Sequence, residues 1–365
     1  MKRLFILNDK VAGGGAEIVM RDIVKYLHNK YDVTVMTLDN DIESAKKIFP
    51  NNVTFIPSKF QKTAYHKYNP RRYIAAVNNL IRKAYIQKQK YDIVIANKEG
   101  VCMKIVAKMS AEKKLAWVHA DYRNAYWTHT VFSAEDEVKC MKRFDSVVCV
   151  SDATSESVKE VIGDPGNLCV KYNPIDFMQI KNNAQACTEI KRSNKKLLFV
   201  AVGRIVAHKN FLTLAKVCAR LSKEFDFELW IVGDGEQRQE IESLLNKANC
   251  DCVKILGMQT NPYKYVVKAD FLISTSLGES YGLVIQEALI LGVPVMTTRC
   301  PAIEECFDTR FGLIVDCDEE SIEKGMRNIL ENPDCVDAYR KTINAEYDAE
   351  TLWEPRLQEI EKIIK

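Results

Sequence analysis

The 365-residue chain has no apolar run of the roughly 20 residues that a membrane-spanning helix needs, which argues against an integral helical membrane protein. Its twelve cysteines contain no C-x-x-C pair, the nearest two being Cys250 and Cys252, so the usual zinc frameworks are missing. Several cysteines, Cys149 and Cys218 among them, fall inside apparent strands and helices, as reduced and buried thiols of a cytoplasmic protein do. The apolar start stops after four residues at Asn8, Asp9 and Lys10, too soon for a secretory signal, and reads instead as a first strand. A large excess of one charge is absent too: the formal net charge is +3. No nucleic-acid-binding motif accompanies the basic residues, so nucleic acid is not an expected partner.

What is present is ordinary globular material, 47% hydrophobic and 28% charged, and long enough for two domains with separate cores. The charge is divided unevenly. Residues 1–174 carry 28 Lys and Arg against 19 Asp and Glu, and residues 175–365 carry 24 against 30. Within 59–114 the count is 14 to 3, which points to an acidic partner for the first half. Residues 71–87 have helical periodicity, with Ile74, Val77, Leu80, Ile81 and Tyr85 inside and Arg71, Arg72, Arg82 and Lys83 outside. That face fits an anionic membrane surface or a lipid diphosphate, and equally a merely solvated surface.

Residues 269–298 organise the second half. They predict a buried strand at 271–274, a loop, a helix over 280–291 ended by Gly292 and Pro294, and another strand. The helix is apolar almost all round, yet it carries Glu287, a charge that needs a partner if buried. Glu279 stands at its mouth, followed by Ser280, Tyr281, Gly282 and Leu283, where accessible N–H groups and the helix dipole attract phosphate. The two glutamates could also be a cap and a paired structural acid.

Strand patterns recur at 2–7, 33–38, 53–56, 92–96, 115–118, 146–150 and 169–171, then at 197–202, 228–232, 254–256 and 311–315, with helical patterns between them. The alternation predicts two doubly wound α/β domains. After the first strand, Gly13, Gly14 and Gly15 let the backbone close on a ligand or simply turn. As a dinucleotide fingerprint the loop lacks its third glycine, with Ile18 in that place, although Asp39 could serve as the ribose acid of a nicotinamide-dependent oxidoreductase. His119 and Asp121 lie just beyond the carboxyl end of the 115–118 strand, where α/β folds place ligands. Residues 122–133, rich in aromatics, read as a mobile loop for an acceptor. After the 197–202 strand come Gly203, Arg204 and Lys209. A planar fork beside a point charge suits a diphosphate, or else is a surface cation pair. The D-x-D strings at Asp39 and Asp316 arise often by chance, and with Arg204 and Lys209 available no metal is expected. Residues 177–195 are polar and predict the interdomain linker.

The Glu-(seven residues)-Glu pattern of Glu279 and Glu287, after a strand and opening a helix, resembles the donor-site signature of family 4 retaining glycosyltransferases. Gly203, Arg204 and Lys209 match that family's Gly-Arg…Lys motif. The resemblance implies the GT-B fold, two Rossmann-like domains facing across a cleft: an acceptor domain over 1–174, rejoined by the terminal helix 350–365, and a donor domain over 175–349. It implies transfer of a hexose or amino-hexose from a nucleotide diphosphate, UDP foremost, with retention at the anomeric carbon. Glu287 would hold the ribose, Glu279 the donor sugar and His119 the same sugar from the other domain. Met258 would lie near the base, Gly14 and Gly15 near the diphosphate and the acceptor, and Arg204, Lys209 and the N–H groups around Gly282 on the leaving diphosphate. The basic first half makes a polyprenyl-diphosphate-linked saccharide at the inner membrane face the expected acceptor, as in capsule assembly. A non-catalytic sugar-binding protein would normally be exported, and no signal segment is evident.

Overall fold

The computed structural model describes residues 1–11, 14–38, 42–56, 89–186, 192 and 196–365. The 71–87 helical pattern, Gly13 and Asp39 therefore lie outside the described residues. The chain forms two compact units, residues 1–175 with 354–365, and residues 176–353.

Among the described residues, unit 1 is built on seven parallel strands: β1 (Arg3–Asn8), β2 (Asp32–Thr37), β3 (Thr54–Ile56), β4 (Ile93–Ala96), β5 (Lys113–Val118), β6 (Ser146–Cys149) and β7 (Leu168–Val170). Their order is β3-β2-β1-β4-β5-β6-β7. The central strands are continuous apolar runs because helices cover both faces, and Leu4, Phe5, Leu7, Val94 and Ala116 are fully buried. The order reverses between β1 and β4, and a doubly wound sheet opens a crevice at the carboxyl ends there.

Unit 2 repeats the plan with β8 (Leu197–Val202), β9 (Phe227–Val232), β10 (Val253–Ile255), β11 (Phe271–Ser274), β12 (Val295–Thr298) and β13 (Gly312–Val315), in the order β10-β9-β8-β11-β12-β13. All pairings within these two sheets are parallel. Here the reversal falls between β8 and β11.

Three expectations are corrected. The polar stretch read as a linker begins with a helix, Phe177–Ala184, capped by Asp176 and burying Ile180 and Ala184 in unit 2. Its polarity reflects one wet face, while four-residue spacing supplies the buried side. Residues 350–364 are not one helix: a 3-10 turn at Glu350–Leu352 precedes the helix Glu354–Ile364. That helix belongs to unit 1, where it buries Leu357, Ile360 and Ile364 and adds polar contacts. Glu361 accepts from Lys30 Nζ at 2.6 Å and Tyr26 OH at 2.9 Å, and Arg356 donates to the Asn173 carbonyl at 2.8 Å. Finally, 122–133 is ordered structure, a helix at Tyr122–Ala125 and a 3-10 turn at Trp127–Thr130. Tyr122 is 1% exposed, and its hydroxyl and that of Thr128 both donate to the buried Glu137 carboxylate, at 2.7 and 2.9 Å.

Candidate active site

In unit 2 the loops after β8 and β11 are stitched together by backbone groups. Leu277 N–H donates to the His208 carbonyl at 2.8 Å, and the Thr275 hydroxyl donates to the Lys209 carbonyl at 3.0 Å. This brings two groups 70 residues apart in sequence into contact: Lys209 Nζ lies 2.5 Å from Glu279 Oε1, both side chains under one-fifth exposed. Ser276 Oγ adds a hydrogen bond to the same oxygen at 2.7 Å. Burial works to raise the Glu279 pKa, but the Lys209 charge and the hydrogen bonds from Lys209 and Ser276 outweigh it, so the carboxyl sits below its ordinary value. Arg204 is exposed on the same loop, and its charge reaches His208, whose pKa falls through burial and then the neighbouring Lys209 and Arg204.

The helix that follows is shorter than expected, Leu283–Ile290, with Gly282 as its N-cap at φ 74°. A left-handed cap of that kind suits glycine, and it places Ser280 and Tyr281 in the loop, Tyr281 being 3% exposed. Glu287 is buried on this helix and accepts from Tyr263 OH at 3.0 Å, which supplies the partner a buried carboxylate needs. Gln286 is likewise satisfied, donating to the Cys306 carbonyl and accepting from Tyr347 OH. Met258 follows β10 and is 67% exposed. The second D-x-D string is occupied: Asp316 pairs with Arg299 at 2.9 Å and Asp318 caps a helix through Ser321 N–H.

In unit 1, polar groups gather at the carboxyl ends of β1, β4 and β5. Asp9 pairs with Lys98 at 2.8 Å, and Lys98 stands 3.8 Å from Glu17, in the first turn of the helix Gly15–Leu27 that Gly14 caps. Burial raises the Glu17 pKa, Lys98 opposes the rise and Asp9 adds to it. His119 follows β5. Its backbone N–H donates to Glu99 Oε2 at 3.0 Å, and its ring Nε2 is buried and without a partner among the described residues. Burial pulls the His119 pKa below its ordinary value, against the Glu99 charge.

Sequence reasoning missed Tyr263, Ser276, Glu99 and the Asp9–Lys98–Glu17 group. Glu99 had a usable signal, since Asn97-Lys98-Glu99 follows a buried strand just as His119 does. Tyr263 and Ser276 had none, because nothing local pairs them with a glutamate.

Two doubly wound units, one with an acid–cation pair and a left-handed helix cap at its switch point, define a class of α/β proteins that place a ligand crevice at the carboxyl ends of their strands. Comparison with known proteins makes this specific. Residues 13–178 match the model described as Glycosyltransferase Family 4, and residues 196–332 match the model Glycosyl transferases group 1. The chain belongs to this glycosyltransferase family. It is 33% identical over 175 residues to an N-acetylgalactosamine-N,N'-diacetylbacillosaminyl-diphospho-undecaprenol 4-alpha-N-acetylgalactosaminyltransferase of Campylobacter jejuni, covering 47% of this chain and 46% of that one. The chain thus spans about half the length of that curated relative. Among solved structures, HepE of Anabaena in complex with UDP and glucose matches with TM-score 0.75 at 16% identity, over 99% of both chains. Sucrose-phosphate synthase of Thermosynechococcus elongatus matches with TM-score 0.77 at 18% identity, over 99% of this chain and 98% of that one. At these identities the likeness establishes the GT-B fold. The family assignment leaves the oxidoreductase reading without support.

Proposed function

We propose that the protein is a retaining glycosyltransferase that moves a hexose or amino-hexose from a UDP-sugar to a saccharide or polyprenyl-diphosphate-saccharide acceptor in surface polysaccharide assembly, working in the cytoplasm at the inner membrane face. The observation that carries it is the Lys209–Glu279 pair at the β8/β11 switch point. A bound diphosphate would draw Lys209 and Arg204, freeing Glu279 to accept from the sugar hydroxyls. Glu287 would hold the ribose, with Ser280, Tyr281, Gly282 and Leu283 lining the helix mouth, Gly203 letting the backbone approach and Met258 near the base. His119 would serve the donor sugar, while Gly14 and Gly15 would approach the donor diphosphate and the acceptor. In the transfer, the bond from the anomeric carbon to the β-phosphate oxygen breaks and the acceptor oxygen bonds the same carbon. The acceptor proton passes to the departing phosphate. Negative charge grows on the leaving diphosphate, so preorganised cations there lower the barrier, each such group being worth about 10²–10³ in rate. This reading assigns no metal.

The relative from Campylobacter, whose name specifies a diphospho-undecaprenol acceptor, and the neighbour holding UDP support the substrate classes. Among the described residues no helix is long and apolar enough to cross a membrane. The test is a donor panel of UDP-, GDP- and ADP-sugars, with products read by mass spectrometry and NADH as a control ligand. Release of UDP with a free or transferred sugar, lost in Arg204→Ala, is expected; turnover of ADP-sugars alone defeats the UDP assignment.

A further inference from the structure

Glu99 is 2% exposed and uses both carboxylate oxygens on different parts of unit 1. Oε2 accepts the His119 backbone N–H at 3.0 Å, where β5 runs out of ladder partners, and Oε1 accepts Trp127 Nε1–H at 2.9 Å. Beside it Gly100, at φ +79°, lies directly under the Trp127 ring. A Cβ there would stand 2.5 Å from the indole, so glycine alone allows the approach. The ordered 122–133 segment is therefore clamped twice, by Glu137 at Tyr122 and Thr128, and by Glu99 at Trp127. Only the second clamp also touches His119.

We infer that Glu99 is a positioning residue for sugar transfer: it locks the His119 main chain and the Trp127 indole into one unit, and so fixes the ring whose buried, unpartnered Nε2 is left to accept a hydrogen bond from a sugar hydroxyl. This rests on the reading of His119 as the group that serves the donor sugar. The charges acting on the His119 ring are Glu99 and Asp9, which favour the imidazolium, and Lys98, which opposes it; burial is the largest influence and keeps the ring neutral. Protonation at low pH would abolish the acceptor at Nε2. Removing the Glu99 charge takes away the main influence favouring protonation, so the His119 midpoint falls.

The experiment compares Glu99→Gln, Trp127→Phe and His119→Ala in the full chain, using the UDP- and GDP-sugar panel with water as acceptor, alongside ¹⁵N-histidine titration. Glu99→Gln should lower kcat at least tenfold with an unchanged KM for the donor. It should move the acid limb of kcat, and the His119 titration midpoint, to lower pH. Trp127→Phe, which deletes one hydrogen bond and keeps the Glu99 charge, should lower kcat without moving that limb, and it serves should Glu99→Gln fail to fold. Parental kcat in Trp127→Phe, or a parental acid limb in a folded Glu99→Gln, overturns the inference. If His119→Ala also keeps parental kcat, it is the site reading beneath it that fails.

Discussion

Lys209 and Glu279 neutralise one another, so each prepares the other for a ligand that carries charge of its own. Removing Lys209 leaves the partly buried Glu279 with only Ser276, and burial then pushes its pKa upward. Lys209→Met is expected to cut kcat about 10²-fold and to make the remaining activity fall away at higher pH than in the parent, because in the proposed reading Glu279 must be ionised to accept from the sugar. A pH–rate profile of the two proteins checks this. At the helix mouth, Gly282→Ala would place a Cβ 2.9 Å from Ile303 Cδ1 in a left-handed backbone. It should cost about 1–2 kcal/mol of stability and weaken UDP binding, measured by denaturant unfolding and calorimetric titration.

Among the elements, the terminal helix Glu354–Ile364 adds a polar anchor to the burial of Leu357, Ile360 and Ile364. The hydrogen bond from Lys30 holds the Glu361 carboxyl down at about 2, opposed by burial and assisted by Lys365 and Tyr26. A depressed carboxyl stabilises the fold above the unfolded-state pKa near 4.5, and the contribution is lost as pH falls from there toward 2. Because the lysine is 40% exposed, solvent screening keeps this to about 1 kcal/mol. Thermal unfolding of Glu361→Gln should match the parent at pH 2 and fall below it at pH 6; equal melting temperatures at both pH values would sink the idea. The clamp at Glu137 is of another kind. Its pKa is raised by burial, against the hydrogen bonds from Tyr122, Thr128 and Tyr126, and its role is to order the 122–133 segment. Glu137→Gln should speed amide exchange across 122–133.

For the molecule as a whole, ligand and stability are linked through the unit that binds. A nucleotide at 100 times its Kd stabilises a folded unit by about 2.7 kcal/mol. Hydrogen exchange with saturating UDP should therefore protect residues 203–210 and 276–290 of unit 2 and leave the β1–β7 sheet unchanged. Protection confined to unit 1 would place the nucleotide elsewhere and overturn the donor assignment. The basic bias of the first half belongs to this scale as well. Co-sedimentation with vesicles should rise with anionic lipid content and fall with added salt.

The sequence by itself determined the strands, their parallel doubly wound arrangement and the family, because buried strands are written as local apolar runs and turn glycines are local too. It also marked Glu279, Glu287, Arg204, Lys209 and His119, since polar groups at strand carboxyl ends are visible in one dimension. Only the tertiary structure decided how they are satisfied: Lys209 with Glu279, Tyr263 with Glu287, Glu99 joining His119 to Trp127. It also decided that residues 122–133 fold, since two buried carboxylates from other parts of the chain hold them. Such pairings join residues up to 70 positions apart, and short-range periodicity carries no information about which distant groups the sheet order will bring together.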